Sequence, residues 1–310
     1  MENNRPSLSK MIRAPFLSSI ISPLIAGTLL AVLITDSFEL VNFVIVLIMG
    51  ICLHIATNVY NDIYDTKQGT DKINVHRNEF SGGSGVLVDH PDLFPKMYAL
   101  ARLGLIGAGI TTIVLYFLIQ DSLQIHLIVL LLLSAFFSKY YTAAPVKLAY
   151  RGWGEFFVWL AFGPMAILVA AVSQNVGFDK IICVAMPITG ISTLSILLIG
   201  QMIDLEADKA TGKWGVAVRL GNRTTSYIYM IVQILLCLNI IILSITYLIN
   251  GWPVLISLVP YIILLPKTLK ILTRNYDQPE LLKSAAKLNV LLHLSFSLLF
   301  ILSLIVTNIM

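Results

Sequence analysis

Five aspartates and two asparagines are the residues of this sequence best suited to chemistry, and they fall in two groups. The first group is Asn58, Asn61, Asp62, Asp65 and Asp71, and the second is Asp204 and Asp208. Residues three or four apart share a helix face, so Asn58, Asn61, Asp62 and Asp65 form one polar stripe. Asp71 follows Gly69, where the chain is free to turn back. Asp204 and Asp208 stand one helical turn apart, with Gln201 a turn earlier and Glu206 directed elsewhere. Carboxylate oxygens suit hard cations such as Mg²⁺, which keep part of their water and bridge to phosphate oxygens. Two such clusters face to face would hold Mg²⁺ around a diphosphate and stabilise the charge it gains as a leaving group. A single Asp at a helix end is usually no more than a solvated terminus. Two tight clusters that share one face of a membrane point instead to function.

The elements that position these residues are read from hydropathy. The chain has 310 residues, of which 57% are hydrophobic and 12% charged, and its mean hydropathy is +0.84. A soluble domain carries about 25% charged residues, so lipid is the expected solvent. Membrane-crossing helices need roughly 20 apolar residues. Runs of that kind lie at 12–34, 39–61, 97–119, 122–141, 154–174, 181–203, 224–249, 252–272 and 285–308. Pro253, Pro260 and Pro266 interrupt the eighth. The expected fold is therefore all-α, a polytopic membrane protein of nine transmembrane helices. It forms a single domain over 1–310, with a short N-terminal tail over 1–11. The first run is too long for a removable signal peptide and no A-x-A site follows it. An acidic cluster closes span two and another closes span six, an echo that suggests two four-helix halves with span nine appended.

Nine spans sort the basic residues. Every Lys and Arg except Lys180 falls on one side, which the positive-inside rule makes cytoplasmic. The N-terminus is then cytoplasmic and the C-terminus lies on the opposite side. Both acidic clusters are on the cytoplasmic face, together with Arg13, Arg77, Lys139 and Lys147 as candidate diphosphate contacts. The sequence pI near 8.9 thus reports topology, and no nucleic-acid partner is expected. Cys52, Cys183 and Cys237 lie within predicted spans and lack metal-ligand spacing. The segment SGGSG (81–85) reads as a connector, or as a loop whose backbone N–H groups approach phosphate. Tyr140, Tyr141, Trp153 and Trp159 suit an interfacial belt, and any that line a cavity would shield a carbocation. His54 reads as a packed core histidine. A cation-coupled transporter would place its acids at mid-bilayer on broken helices, whereas these stand at span ends.

The segment NDIYDTKQGTD (61–71) resembles the first acidic motif of the UbiA superfamily of intramembrane prenyltransferases, in its menaquinone-branch form. DLEADKATGKWGVAVRLG (204–221) resembles the second motif of that branch, and IRAPFL (12–17), FSGGSGV (80–86) and YYTAAPVKLAYRGWGE (140–155) resemble its connecting segments. The resemblance implies helices around a central cavity and Mg²⁺-dependent transfer of a prenyl chain from a prenyl diphosphate to an aromatic acceptor. Its implied acceptor is 1,4-dihydroxy-2-naphthoate, in menaquinone biosynthesis at a bacterial inner membrane. Carried over by position, Asn61, Asp65, Asp71, Asp204 and Asp208 are metal ligands, with Asp62 beside them. Asp62, Asp65, Asp204 and Asp208 are catalytic, Asn58, Asn61, Arg13, Arg77, Lys139 and Lys147 contact diphosphate, and Tyr140 and Tyr141 shield the cation or meet the acceptor. A terpene cyclase of the same architecture would ionise the same substrate without an acceptor. Two departures bear on the acceptor: Trp214-Gly215-Val216 replaces Arg-Thr-Leu, and Ala143-Ala144 replaces a Gly-rich stretch.

Overall fold

The structure is a computed structural model that describes residues 5–248 and 250–310. Among these, nine helices are long and apolar enough to cross a membrane: α1 Ala14–Thr35, α2 Leu40–Gln68, α3 Pro91–Tyr116, α4 Asp121–Tyr140, α5 Gly154–Ser173, α6 Lys180–Ile203, α7 Val216–Tyr247, α8 Trp252–Arg274 and α9 Pro279–Ile309. The described residues contain no strand. The chain is an integral membrane protein of all-α architecture. Within the predicted 1–11 tail, residues 1–4 lie outside the described residues, while Leu8–Met11 forms one helical turn that buries Met11.

The nine apolar runs become the nine helices, with revised ends. α7 begins at Val216, eight residues before the apolar run, because Gly221 takes φ 78° and joins a short turn of helix to the span proper. α8 opens as a 3₁₀ helix over Trp252–Leu258, where Pro253 occupies the first turn, and continues as an α-helix with Pro266 inside it. In a lipid solvent backbone groups must be satisfied within the helix, so apolar length defines each element. On α3, Leu103, Ile106, Ile110 and Ile113 are exposed at helical spacing, and Phe117 at its C-terminal cap continues the row, which is a lipid-facing stripe.

The packing follows a repeated pattern. α2 lies along α3 and α6 along α7, while α1 meets α5 across the two halves, and α9 packs against α1, α6 and α8. Small residues permit the closest approaches, as expected where packing drives association in lipid. A Cβ on Gly163 of α5 would stand 2.5 Å from the carbonyl oxygen of Met186 on α6, and one on Gly190 would collide with the carbonyl of Trp159. Beside this contact α5 widens into a π turn over Ala161–Met165, which contains Pro164. Proline has no N–H to return to the helix, and the wider turn sets Phe162 against the interior.

Gly190→Val should therefore destabilise the fold by about 1–3 kcal/mol through overpacking. Thermal unfolding in detergent tests this. An unfolding temperature equal to that of the unaltered protein would show that the α5–α6 contact tolerates a side chain.

Candidate active site

The first acidic cluster occupies the last turns of α2. Asn58, Asn61 and Asp65 face one cavity of about 200 Å³. Gly69 ends the helix at φ 92°, and the turn Thr70–Ile73 folds Asp71 back into the same cavity. The Asn58 side chain donates to Ile12 O at 3.3 Å, tying the segment before α1 to the site. There Arg13 adopts φ 54° and lays its guanidinium over the Phe16 ring at the cavity wall, 4.6 Å from the centroid.

The second cluster follows α6. Asp204 caps that helix, and the short helix Leu205–Ala210 buries Asp208. Gly212, at φ 72°, then turns the chain so that Lys213 points inward. Its ammonium donates to Asp65 Oδ2 at 2.9 Å and stands 3.9 Å from Asp208 Oδ1. One lysine thus joins both clusters. Tyr150 donates its hydroxyl proton to the other oxygen of Asp65 at 2.8 Å. That proton being committed, the Thr70 hydroxyl donates to the Tyr150 oxygen at 2.7 Å.

The segment between α2 and α3 covers both clusters. Asn74 donates its side-chain N–H to Asp204 Oδ1 at 2.7 Å, and the Gly82 backbone N–H donates to Asp204 Oδ2 at 3.0 Å. The Ser84 N–H donates to Asp62 Oδ1 at 3.2 Å. A Cβ on Gly83 would stand 2.5 Å from Asp71 Oδ2, so only glycine lets the loop backbone approach that carboxylate. The amides of SGGSG thus meet protein carboxylates, whereas the reading of this segment as a phosphate-approaching loop named a different anion.

Four carboxylates, those of Asp65, Asp71, Asp204 and Asp208, face two cations, Arg13 and Lys213, across the cavity. Burial, followed by the neighbouring Asp65 and Asp62 charges, pushes Asp71 up to about 8. Burial also pushes Asp208 up to about 7, against the pull of Lys213. It raises Asp204 too, opposed by the Asn74 hydrogen bond. Burial disfavours the Lys213 charge, but Asp65 and Asp208 outweigh it and hold the ammonium well above its ordinary value. Burial and the Asp65 charge likewise raise Tyr150, which stays a hydrogen-bond donor.

A site so rich in carboxylate demands positive charge. Two buried oxygens, Asn61 Oδ1 and Asp62 Oδ2, have no hydrogen-bond partner. Among the described residues no three His, Cys, Asp or Glu side chains converge into a closed cage. The donor set therefore fits Mg²⁺, which takes one or two carboxylates and completes its shell with water and substrate phosphate. It does not fit an ion that the protein encloses alone.

Of the residues singled out in the sequence, Arg13, Asn58, Asn61, Asp65, Asp71, Asp204, Asp208 and Tyr141 line the cavity. Asp62 lies behind it, held by Ser84. Four others are directed elsewhere. Arg77 pairs with Asp89 at 3.4 Å, Lys139 lies over the Tyr140 ring at 5.2 Å, and Lys147 lies over the Tyr150 ring at 5.5 Å. Tyr140 packs on Phe136, with centroids 4.9 Å apart. Lys213 and Tyr150 hold central places that sequence reasoning missed. The Gly212-Lys213 pair was the available signal, since a glycine able to take positive φ frees the lysine to turn inward. Neither departure from the family pattern lines the cavity: Trp214 is exposed and Ala143 is buried in packing.

A second, apolar cavity of about 100 Å³ adjoins the first. Leu24, Met49, Leu53, Phe137 and Phe157 are among its walls. His54, Thr57, Tyr141, Val158 and Phe162 border both spaces.

Comparison with known proteins adds relatives to this geometry. The profile of the UbiA prenyltransferase family matches residues 20–296. The chain is 28% identical to 2-carboxy-1,4-naphthoquinone phytyltransferase of Synechocystis sp. over 291 residues, 91% of this chain and 87% of that protein. It is 29% identical to 1,4-dihydroxy-2-naphthoate octaprenyltransferase of Bacillus subtilis, over 70% of this chain and 66% of that one. The fold is that of a UbiA homologue from Archaeoglobus fulgidus solved with DMAPP and Mg²⁺, with a TM-score of 0.60 and 12% identity, covering 94% of this chain and 98% of that one.

The raised carboxylates make a stability prediction. Asp71 at about 8 and Asp208 at about 7 hold protons that the unfolded chain gives up near its ordinary value, about 3.9. Their contribution to stability is complete below that value and is lost as pH rises through the folded values. Chelator-treated protein in detergent should therefore unfold at progressively lower temperature between about pH 5 and about pH 8. Asp71→Asn should flatten that slope, and an unchanged slope in the variant would exclude Asp71 as its source.

Proposed function

Because the chain belongs to the UbiA prenyltransferase family, and is accordingly a prenyltransferase, we propose that it transfers the prenyl group of a prenyl diphosphate to 1,4-dihydroxy-2-naphthoate, with Mg²⁺ as cofactor. The observation that carries this reading is the joined cavity. Two carboxylate clusters and two cations face its polar part, and apolar side chains line the part beyond the shared wall. A prenyl diphosphate has this division, a charged head on an apolar chain. The two curated relatives are both named for naphthalene rings with oxygens at positions 1 and 4 and a carboxyl group at position 2, which supports that acceptor.

Asn61, Asp65 and Asp71 would hold Mg²⁺ from α2, and Asp204 and Asp208 from the end of α6. When bound, Mg²⁺ neutralises the diphosphate and stabilises the charge it gathers as the C–O bond breaks. Lys213 and Arg13 present positive charge to the same head group, a compact ammonium and a planar fork that grip phosphate differently. Tyr150, by donating to Asp65, keeps that carboxylate turned toward the cavity. Beyond the head group, the faces of Tyr141 and Phe162 flank the carbon that becomes cationic. The apolar walls keep water from it, so that the acceptor ring carbon attacks instead. The Lys and Arg distribution supports a cytoplasmic N-terminus, a C-terminus on the opposite side and a site open to the cytoplasm, as in a bacterial inner membrane.

A product assay with allylic diphosphates of several lengths, with and without dihydroxynaphthoate, tests the reading. Prenylated naphthol formed only with acceptor and Mg²⁺ is expected. Cyclised hydrocarbon formed without acceptor would overturn it. Asp208→Asn should lower transfer about 10²–10³-fold, as for loss of one electrostatic stabiliser of a developing anion. Lys213→Met should do the same, whereas Lys139→Met and Lys147→Met should stay within about fivefold, since a cation over an aromatic ring outside the cavity contributes about 1 kcal/mol or less. Equal losses in all four variants would show that Lys213 has no special role.

A further inference from the structure

Of the five residues on the wall shared by the two cavities, Val158 and Phe162 are apolar, Tyr141 carries a phenol that is not among the buried unpartnered groups, and the Thr57 hydroxyl is held between Leu53 O and Ser138 Oγ, at 2.8 Å each. His54 differs. It is only 5% exposed, and neither Nδ1 nor Nε2 has a hydrogen-bond partner. A packed histidine behaves otherwise, and this molecule contains one: His293 places Nδ1 2.8 Å from Ser192 Oγ and Nε2 3.5 Å from Ser19 Oγ. His54 is fixed in orientation as well, with its ring edge-on to Phe162 at 80° and a centroid separation of 5.4 Å. A neutral imidazole offers one donor and one acceptor, and leaving both unpaired in a buried wall is costly. Such a group is suited to a ligand that arrives.

Its position says which ligand. If the charged head lies among the carboxylates and the tail in the apolar cavity, the breaking bond lies at the shared wall. We propose that His54 is a catalytic residue that receives the aromatic acceptor, an inference that rests on the transferase reading above. One imidazole nitrogen accepts a hydrogen bond from the acceptor's ring hydroxyl and takes its proton as the adjacent ring carbon attacks. The C–C bond forms at the prenyl carbon, and the C–O bond breaks with its electron pair leaving on diphosphate. The hydroxyl O–H pair becomes a ring C=O, so the ring carries no net positive charge. Where the attacked carbon bears a carboxylate, that group departs as CO₂. Its electron pair re-enters the ring, and the oxygen regains the proton from the imidazolium. His54 ends as it began.

The test compares His54→Gln and His54→Leu in the full chain in detergent, with farnesyl diphosphate, Mg²⁺ and 1,4-dihydroxy-2-naphthoate. Three quantities are read: kcat and KM for the acceptor, binding of the unreactive farnesyl thiodiphosphate, and the unfolding temperature. His54→Leu should lower kcat/KM for the acceptor about 10²–10⁴-fold, the range of a lost acid–base group. His54→Gln keeps hydrogen-bonding capacity but not proton affinity, so its KM should hold while kcat falls about 10²-fold. Both variants should bind the thiodiphosphate as the unaltered protein does. Unchanged acceptor kcat/KM in both variants overturns the assignment. An unchanged kcat in His54→Gln overturns the proton transfer. A parallel loss of thiodiphosphate binding or of folding in His54→Gln makes the residue structural and overturns it too. If the unaltered protein prenylates no hydroxyaryl acceptor, the transferase reading itself fails and takes this inference with it.

Discussion

The contact between the Lys213 ammonium and the carboxylates of Asp65 and Asp208, at 2.9 and 3.9 Å, is the interaction on which the site depends. It joins the loop after α6 to the end of α2, two elements far apart in sequence. A buried ion pair adds little net stability, because desolvation offsets most of the attraction. Removing one partner is another matter, since an uncompensated charge is then left behind. The contact is therefore better understood as a constraint on geometry. It keeps two acidic clusters on one cavity although their mutual repulsion and burial raise Asp71 and Asp208 toward neutrality.

The glycine-rich loop meets the same problem with neutral groups. Backbone N–H groups of Gly82 and Ser84 donate to Asp204 and Asp62. Hydrogen bonds to an ionised acceptor are stronger than neutral ones, so these amides stabilise carboxylates without adding a fixed charge. That matters for a site that must also accept cations. An arginine in the same place would compete with the metal, whereas an amide can be withdrawn and leave no charge behind. Arg77, which precedes this loop, instead pairs with Asp89, and its guanidinium packs where Gly85 leaves room.

What the sequence made legible follows from what lipid requires. Helices in a bilayer are set by apolar length, so the nine runs correspond to nine helices among the described residues, with shifted ends. The starts of α7 and α9 were harder to see, because their first turns are polar and carry glycine or proline. The aspartates were legible because their spacing on a continuous helix puts them on one face. The basic residues were not. Charge sorting assigns a lysine to a side of the membrane but not a direction, and Lys139 and Lys147 lie instead over the tyrosine rings beside them. Lys213 needed a glycine turn and a partner on α2 to become visible, and His54 needed the knowledge that nothing bonds to it. Both are tertiary facts.

The placement of the clusters follows a further electrostatic logic. The two acidic clusters stand at the ends of α2 and α6, so each lies on a helix C-terminus with partial negative charge. Proteins that bind phosphate directly use helix N-termini. The starts of α1, α5 and α7 are at this end too: Arg13 and Phe16 line the cavity, while the Val216 N–H of α7 is taken by Glu155 of α5 at 2.6 Å, which also pairs with Arg219. Carboxylates on helix C-termini repel an anion twice over. An anion approaching these carboxylates therefore needs positive charge between, from the Arg13 and Lys213 side chains that line the cavity or from a bound cation.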